Sequence, residues 1–268
     1  MSEIFTLGID VGSTASKCII LKDGKEIVGK SLIDVGAGTS GPNRAIEAVL
    51  EDAGLKKEDM AFTLATGYGR TSLMDGIADK QMSELSCHAK GAYFLFPKVH
   101  TVIDIGGQDV KVLRVEDGVM TNFQMNDKCA AGTGRFFEAM AKAFEMDLSE
   151  FSKLSLKAKN VIPITAQCTV FAESEVISLV GEGKPMDEIA AGIELSVAKR
   201  CFVMSKKAGA VDSITLTGGC AKNDGLKEAI EKVLNLKVID LPIDPQLMGA
   251  LGAAEFARQK GMAKEGAV

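Results

Sequence analysis

Residues 9–24 read IDVGSTASKCIILKDG, and residues 103–118 read IDIGGQDVKVLRVEDG, so the second stretch repeats the first at an offset of 94 positions. The repeat superposes Asp10 on Asp104 and keeps the apolar positions that follow. In each copy a short apolar strand runs into a D-x-G turn, a second strand follows, and an Asp-Gly pair precedes a third strand. Asp-Gly between two alternating runs is a strong hairpin signal. The sequence therefore predicts two copies of one three-stranded meander, and so two related domains with a cleft between them.

The segments that follow each meander predict helices and further strands. Apolar residues at helical spacing predict helices at 43–52, 84–96, 135–144, 169–180, 186–207, 224–234 and 246–259. Short apolar runs predict strands at 62–65, 213–217 and 237–240. Each half is then a meander followed by helices and strands, an α/β arrangement. We expect an N-terminal domain at 1–97, to which a helix at about 246–262 returns, and a C-terminal domain at 98–245.

The composition is that of a globular protein. Of 268 residues, 46% are hydrophobic and 25% are charged, which are ordinary values for such a chain. The net charge of -5 argues against a nucleic-acid surface. The first residues lack the pattern of a signal peptide, and no apolar run reaches transmembrane length. We therefore expect a cytoplasmic protein without nucleic-acid or membrane partners, whose six cysteines stay reduced.

The two D-x-G turns predict a pair of phosphate sites. A turn at the end of a buried strand presents backbone N–H groups to an anion. A single turn of this kind is usually only a tight turn, but two at one offset, each after an apolar strand, favour a shared binding role. The residues that we expect to hold phosphate are Gly12, Ser13 and Thr14 in the first turn and Gly106, Gly107 and Gln108 in the second.

Charged residues beside these turns predict the chemistry of hydrolysis. Asp10 and Asp104 lie in the two apolar strands, and we expect them to face each other across the cleft. They are the expected catalytic residues, which would hold Mg²⁺ largely through water and orient the attacking water. Lys17, which the repeat aligns with Lys111, is expected to help neutralise the phosphates.

A third glycine cluster follows the last predicted long strand and opens a helix. It runs from Thr217 to Asn223 and includes Gly218, Gly219 and Cys220, and its glycines allow close approach of a flat ligand. The two turns, this cluster and the small-residue segment MGALGAAEFA at 248–257 resemble the ATP signature of the actin-like ATPase superfamily, the fold of acetate kinase, sugar kinases, Hsp70 and actin. The resemblance implies a duplicated α/β ATPase fold that binds ATP or ADP, with the third cluster at the adenosine.

Two cysteines stand before predicted helices instead of inside apolar stripes. Cys129 lies in DKCAAGTGRF and Cys168 in ITAQCTVFAESEV. Helix N–H dipoles at such positions favour a thiolate, although two buried cysteines near helix caps would show the same spacing. A 4Fe–4S cluster needs four thiolates, and the chain shows no four-cysteine motif. Two cysteines from each subunit of a symmetric dimer would supply four.

The motifs around these cysteines resemble one family. CAAGTGRF and QCTVFAESEV, with TGYGR at 66–70 and ELSCHAKG at 84–91, look like those of the activator (archerase) component of 2-hydroxyacyl-CoA dehydratases, of the BadF/BadG/BcrA/BcrD ATPase type. The resemblance implies an oxygen-sensitive homodimer with one 4Fe–4S cluster that bridges its subunits, held by Cys129 and Cys168 of each. It also implies that ATP hydrolysis drives one electron, supplied by reduced ferredoxin or flavodoxin, to the partner dehydratase.

Residues next to these motifs carry further expectations. The Cys129 loop runs into Gly132, Thr133 and Gly134, which we expect to touch the ATP phosphates. Buried packing is the expectation for Cys18, in an apolar strand, and for Cys201, on the long helix. The neighbouring Cys87 and His88 would either polarise a group near the domain crossing or form a packed helix pair, and we favour the packed pair.

Two other functions fit the fold. One is a small-molecule kinase without an iron–sulfur cluster, but 268 residues leave little for a substrate-recognising insertion, and a kinase needs neither Cys129 nor Cys168. The other is a nucleotide-dependent interaction protein of the Hsp70 sort, for which the sequence shows no peptide-binding domain. Iron content separates both of these from the activator.

Overall fold

The computed structural model describes residues 3–165 and 168–265. They form two compact units. Unit 1 holds the chain up to Lys98, Val115–Met120 and the chain from Leu241 onward, and unit 2 holds Val99–Arg114 and Thr121–Asp240. Within the described ranges, no helix has both the length and the apolar character that crossing a membrane requires.

Unit 1 is built on a mixed five-stranded sheet. Its strands are β1 (Phe5–Val11), β2 (Ser16–Lys22), β3 (Glu26–Ile33), β4 (Met60–Thr66) and β5 (Lys80–Gln81), in the order β3-β2-β1-β4-β5. Strand β1 pairs antiparallel with β2 and parallel with β4. The helices are α1 (Gly41–Ala53), α2 (Glu84–Leu95) and the last helix of the chain, α8 (Met248–Glu265), with 3₁₀ turns at Lys57–Asp59, Arg70–Leu73 and Pro245–Leu247.

Unit 2 contains the second sheet and the remaining helices. Its strands are β6 (Thr101–Ile105), β7 (Val110–Glu116), β8 (Val119–Asn126), β9 (Ile214–Thr217) and β10 (Val238–Ile239), in the order β10-β9-β6-β7-β8. The turn between β7 and β8 belongs to unit 1. The helices are α3 (Gly134–Ala143), α4 (Leu148–Leu154), α5 (Thr169–Gly181), α6 (Met186–Ala208) and α7 (Asp224–Leu234), with 3₁₀ turns at Ser155–Lys157 and Gly219–Lys222.

The two sheets repeat one design, as the duplicated sequence predicts. In each, the first strand of the meander has the second strand antiparallel on one side and a later strand parallel on the other. The predicted hairpins are also present. Asp23 and Gly24 have φ of 53° and 63°, and Asp117 and Gly118 have φ of 50° and 73°. Two successive left-handed residues are the signature of a type I′ turn, for which Asp-Gly is preferred, so the prediction of paired meanders is confirmed.

The last helix lies directly on the first strand of unit 1. A Cβ on Gly8 of β1 would lie 2.0 Å from Ala250 O and 2.3 Å from Ala254 N of α8. Only glycine permits this approach of two backbones. Because the same strand ends at the carboxylate of Asp10, the close packing also brings the N-terminal turn of α8 next to that carboxylate.

Most of the predicted elements are present with bounds within a few residues, but the last helix begins later than predicted, and neither the short strand β5 nor helix α4 was predicted. The last helix begins at Met248 and not at residue 246, because Pro245–Leu247 forms a 3₁₀ turn in which the Asp244 side chain accepts from Gln246 N. Helix α4 was not predicted. It begins with a capping box in which Asp147 and Glu150 each accept from the other's backbone N–H, and this local signal is readable in the sequence.

Candidate functional site

The first D-x-G turn joins β1 to β2 in unit 1. Gly12 N donates to Ala15 O at 2.9 Å and closes the turn, in which Ser13 and Thr14 are half-buried. A Cβ on Gly12 would lie 2.9 Å from Lys17 Nζ, so any larger residue would displace that ammonium group. The turn therefore holds its backbone and a lysine close together, as an anion site requires.

Asp10 lies in β1 just before this turn and is 2% exposed. Lys17 Nζ donates to Asp10 Oδ2 at 3.1 Å. Oδ1 is buried and has no hydrogen-bond partner among the residues that the structure describes. A buried carboxylate oxygen without a hydrogen-bond donor is uncommon in proteins and indicates that a ligand or a water molecule binds there. It fits the preference of Mg²⁺ for carboxylate oxygens and retained waters.

The second turn repeats this geometry in unit 2. Gly106 N donates to Asp109 O at 3.0 Å, and Asp104 is also 2% exposed. Lys111 Nζ donates to Asp104 Oδ2 at 3.1 Å and to Asp109 Oδ1 at 2.7 Å. Lys111 was not among the predicted phosphate-binding residues, although the offset of 94 aligns it with Lys17. The repeat is therefore the signal from which Lys111 could have been predicted.

The loop that carries Cys129 is bonded directly to the second turn. Gly134 N donates to Gly106 O at 2.9 Å, and a Cβ on Gly134 would lie 3.1 Å from Gly107 Cα. Gly106 and Gly107 are half-buried, and Gln108 is exposed at the outer side of the turn. The structure thus brings the Cys129 loop and the second turn together. The order of the two motifs along the sequence does not reveal this contact.

The other two residues of the predicted G-T-G segment have local roles. Gly132 has a left-handed φ of 86°, which glycine adopts without strain. Thr133 is buried, its backbone N and its Oγ1 donate to Ala130 O at 3.0 and 2.6 Å, and it is the N-cap residue of α3. Both polar groups of Thr133 are therefore engaged inside the loop, and its predicted phosphate contact stays a prediction.

The third glycine cluster lies against Asp104. Thr217 Oγ1 donates to Asp104 Oδ1 at 2.8 Å. Gly218 has a φ of 82°, and a Cβ there would lie 2.4 Å from Ile105 O and 2.9 Å from Asp104 Oδ1. Gly219 opens the 3₁₀ turn that follows. The predicted adenosine cluster and Asp104, the second of the two aspartates predicted to be catalytic, are therefore neighbours within unit 2.

The six cysteines separate into two groups by exposure. Cys168 is exposed and Cys129 is half-buried, whereas the others are buried free thiols, namely Cys18, Cys87, Cys201 and Cys220. Burial raises the pKa of the Cys18 thiol, and it raises the pKa of the thiols of Cys87, Cys201 and Cys220 to about 12 each. The buried four therefore stay protonated. The expected core positions of Cys18 and Cys201 are confirmed.

The two accessible cysteines relate differently to helices. Cys168 is the N-cap residue of α5, as predicted. Cys129 stands in the loop before α3, and the N-cap of that helix is Thr133 instead. The expectation that Cys129 lies just before a helix is therefore wrong in detail, because residues 130–133 separate Cys129 from the first residue of α3. Both cysteines belong to unit 2.

Two sheets of one strand order, each with an aspartate–lysine pair beside a glycine turn, define a duplicated ATPase of the actin-like class. A ROK family glucokinase from Streptomyces griseus, solved with glucose and AMPPNP, has the same fold at a TM-score of 0.58 and 13% identity, covering 95% of this chain and 99% of that chain. The predicted fold class is confirmed.

This chain belongs to the BadF/BadG/BcrA/BcrD ATPase family, whose model matches residues 7–257. It is 61% identical to the (R)-2-hydroxyglutaryl-CoA dehydratase activating ATPase of Acidaminococcus fermentans over 96% of this chain and 98% of that protein. It is 52% identical to the activator of lactoyl-CoA dehydratase of Anaerotignum propionicum over 97% and 100%. The activator of 2-hydroxyisocaproyl-CoA dehydratase from Clostridium difficile, solved with bound ADPNP, is similar at a TM-score of 0.93 and 47% identity over 99% and 98%. The predicted family is confirmed.

Proposed function

We propose that this protein is an ATP-hydrolysing iron–sulfur homodimer that delivers a low-potential electron to a 2-hydroxyacyl-CoA dehydratase and so activates it. Reduced ferredoxin or flavodoxin would supply the electron. The names of its relatives as dehydratase activators support the partner, and the ADPNP in one of them supports the nucleotide. The single observation that carries the electron-transfer part is that two cysteines of six are not buried, Cys168 being exposed and Cys129 half-buried.

The thiols of Cys129 and Cys168 are the ones that fit an iron–sulfur cluster. Iron–sulfur ligands are thiolates, and the four other cysteines are buried with raised pKa values. Two accessible thiols in one chain supply half of the four ligands, so a second copy related by a two-fold axis completes the set. When bound, a 4Fe–4S cluster would supply one-electron chemistry. Cys168 is the N-cap residue of α5, and the N-terminal N–H groups of that helix favour negative charge at the thiol.

The face of α5 beside Cys168 supports the homodimer. Its outer side carries Val170 and Phe171, which are 65% and 69% exposed, and Ile177, which is 54% exposed. Ala172 and Val176 face the core instead. Exposed apolar side chains that cluster on one helix mark interaction surfaces. A second copy of the same helix would cover them, since a two-fold interface pairs a patch with itself.

The two D-x-G turns and the charged residues beside them would carry out ATP hydrolysis. In each unit the backbone N–H groups of the turn would bind phosphate, with Lys17 in unit 1 and Lys111 in unit 2 to neutralise charge. Asp10 Oδ1 is the expected contact to Mg²⁺ or its waters. Mg²⁺, when bound, would neutralise the charge that develops on the transferred phosphoryl group. The bond between Gly134 N and Gly106 O ties the Cys129 loop to the second turn, so a shift of that turn on hydrolysis would be passed to Cys129.

The proposal is tested with a dehydratase in the absence of oxygen. The protein is mixed with a 2-hydroxyacyl-CoA dehydratase, reduced ferredoxin or flavodoxin, and either ATP or ADP, and dehydration of the acyl-CoA is followed. We expect the acyl-CoA to be dehydrated in the complete mixture with ATP but not in the mixture with ADP. We expect no dehydration when Cys168→Ala replaces the wild-type protein. An iron-free protein that phosphorylates a small acceptor would contradict the proposal and favour the kinase.

A further inference from the structure

A carboxylate on α5 holds the chain that leads into Cys168. Glu175 lies about two turns along the helix from this N-cap residue. Its Oε1 accepts hydrogen bonds from Thr165 N at 3.0 Å and from Thr165 Oγ1 at 2.9 Å, and its Oε2 accepts from the same N–H at 3.1 Å. Hydrogen bonds to a carboxylate are stronger than those between neutral groups. One charged side chain therefore engages both hydrogen-bond donors of Thr165.

Helix α5 by itself fixes only one side of Cys168. Cys168 O accepts from Ala172 N at 2.8 Å, but the φ of -87° and ψ of 137° at Cys168 are those of extended chain. The Cys168 side chain makes no capping hydrogen bond to the described N–H groups of α5. An N-cap residue stands half outside its helix, so the position of this thiol also depends on the chain before it.

The chain before Thr165 is held against α6. Ile162 N donates to Glu188 O at 3.1 Å, and Asn160 Nδ2 donates to Glu188 Oε1 at 3.0 Å. A Cβ on Gly192 would lie 1.8 Å from Ile162 O, so only glycine lets α6 approach this closely. This part of the chain is therefore fastened to α6 before it reaches the carboxylate on α5.

Fixing Thr165 restricts the position of Cys168. The two are three residues apart, and three residues of fully extended chain span at most about 11 Å. Glu175 is itself well anchored, because Ala172 and Val176 of the same helix are fully buried in the core of unit 2. The carboxylate thus belongs to a rigid element, as the precise placement of a ligand requires.

We propose that Glu175 is a positioning residue for Cys168, whose carboxylate holds the entering chain on α5 and so presents the thiol in the orientation that the cluster needs. The inference rests on the proposed role of Cys168 as a cluster ligand. Residues that orient metal ligands lie outside the ligand set, and their removal lowers the affinity for the metal. The inference gives a function to a charged residue of the motif QCTVFAESEV, to which the proposed function assigns none.

Hydrogen exchange tests whether the carboxylate holds this chain in solution. Peptides that cover residues 160–169 are followed by mass spectrometry in full-length protein purified without oxygen. We expect faster exchange in Glu175→Ala, because Thr165 N loses its acceptor, and nearly wild-type exchange in Glu175→Gln, whose amide oxygen still accepts. Glu173→Ala, at another half-buried glutamate of α5, is the matched control and should exchange as wild type does. Wild-type exchange in Glu175→Ala would overturn the inference.

The rate at which a chelator removes iron measures the consequence for the cluster. We expect removal on the order of tenfold faster or more in Glu175→Ala, since loss of an orienting residue has such an effect on metal affinity. Glu175→Gln should restore most of the retention. Thr165→Val, which removes one of three hydrogen bonds, should have a smaller effect and add nothing in the Glu175→Ala background.

Controls separate positioning from general damage to unit 2. Melting temperatures show that each variant folds, and the affinity for a fluorescent ADP analogue should stay at the wild-type value in Glu175→Ala. Wild-type iron removal in Glu175→Ala, equal losses in its Ala and Gln variants, or the same loss in Glu173→Ala would overturn the inference.

Iron content distinguishes this inference from the function on which it rests. Full iron content in Cys168→Ala would overturn the cluster assignment and the role of Glu175 together. Loss of iron in Cys168→Ala with wild-type iron removal in Glu175→Ala would overturn only the role of Glu175.

Discussion

Asp10 and Asp104 share a lysine contact but differ at the other carboxylate oxygen. Lys17 and Lys111 each donate to Oδ2 at 3.1 Å. Asp104 Oδ1 also accepts from Thr217, whereas Asp10 Oδ1 has no donor among the described residues. The two halves of the duplicated protein have therefore diverged at this atom. We infer that Asp10 faces the reacting phosphate and its metal, and that Asp104 organises the third glycine cluster.

This difference predicts unequal effects of two amide substitutions. Asp10→Asn should lower ATP hydrolysis by about a hundredfold or more, as expected when a group that stabilises the transition state is removed. Nucleotide affinity should change far less. Phosphate release and equilibrium binding of ADP measure the two effects, and Asp34→Asn, at an exposed position, is the control. A larger loss from Asp104→Asn than from Asp10→Asn would contradict the assignment.

Gly218 provides a second prediction at the residue scale. Gly218→Ala should weaken nucleotide binding and lower stability, because its Cβ would press on Ile105 O and Asp104 Oδ1 at 2.4 and 2.9 Å. Gly183→Ala is a matched control, since Gly183 has a left-handed φ of 73° but no atom near a Cβ. The control should lose only about 1–2 kcal/mol of unfolding free energy, the conformational term. Equal losses in unfolding free energy and equal nucleotide affinities would refute the crowding argument.

Single residues also show what the sequence could predict. Cys18 and Cys201 were correctly predicted to be buried. Each lies among apolar neighbours, Cys18 in an apolar strand and Cys201 on an apolar helix face, and such segments pack into the core. The exposure of Cys168 follows from its position at the start of α5. The close packing around Asp10 could not be predicted, since Gly67 and Gly249 approach its carboxylate from segments far apart in sequence.

At the scale of elements, one buried carboxyl joins three segments of unit 2. Glu194 of α6 is 1% exposed and hydrogen-bonds Ser155, in the 3₁₀ turn, and Asn223, the N-cap of α7. A Cβ on Gly225 would lie 2.2 Å from Glu194 Oε2. Burial raises the pKa of this carboxyl to about 7, which the two hydrogen bonds only partly oppose. Helical periodicity does not reveal such a residue, because its neighbours come from other segments.

Glu194 should make stability depend on pH. Its folded pKa of about 7 exceeds the ordinary 4.5, so its stabilising contribution is fully present below 4.5 and is lost as pH rises through 7. We expect the melting temperature of wild type to fall between pH 5.5 and about pH 8, and that of Glu194→Gln to fall less. Thermal unfolding at several pH values measures this, with the exposed Glu182→Gln as control. Parallel pH profiles for wild type and Glu194→Gln would exclude Glu194 as the cause.

Helix α5 gives a prediction about association. Phe171→Ser should raise the dissociation constant of the dimer at least about tenfold, since burial of one large apolar side chain contributes roughly 1.5–3 kcal/mol and a two-fold interface loses it twice. Sedimentation velocity over a concentration series measures the constant. Val203→Ser, at an apolar position of α6 that is 50% exposed, should leave it unchanged. Equal dissociation constants for Phe171→Ser and Val203→Ser would show that the dimer interface does not include this face of α5.

At the scale of the whole molecule, the duplication was the feature that the sequence predicted best. A repeat of strand, D-x-G turn, strand, Asp-Gly turn and strand sets the pairing of neighbours, so the shared order of the two sheets followed from local signals. Helix α4 was missed because its seven residues are too few to show periodicity. The hydrogen bond between the Cys129 loop and the second turn joins Gly134 N to Gly106 O. Because both groups belong to the backbone, the pattern of side chains in the sequence could not predict it.

The central claim is that Cys129 and Cys168 of two copies hold one iron–sulfur cluster. Iron and acid-labile sulfide, measured in protein purified without oxygen, test it most directly. We predict about four iron atoms per dimer, lost in Cys129→Ala and in Cys168→Ala but retained in Cys201→Ala, whose thiol is buried in the core. Iron-free wild-type protein, or full iron content after either of the first two substitutions, would contradict the claim.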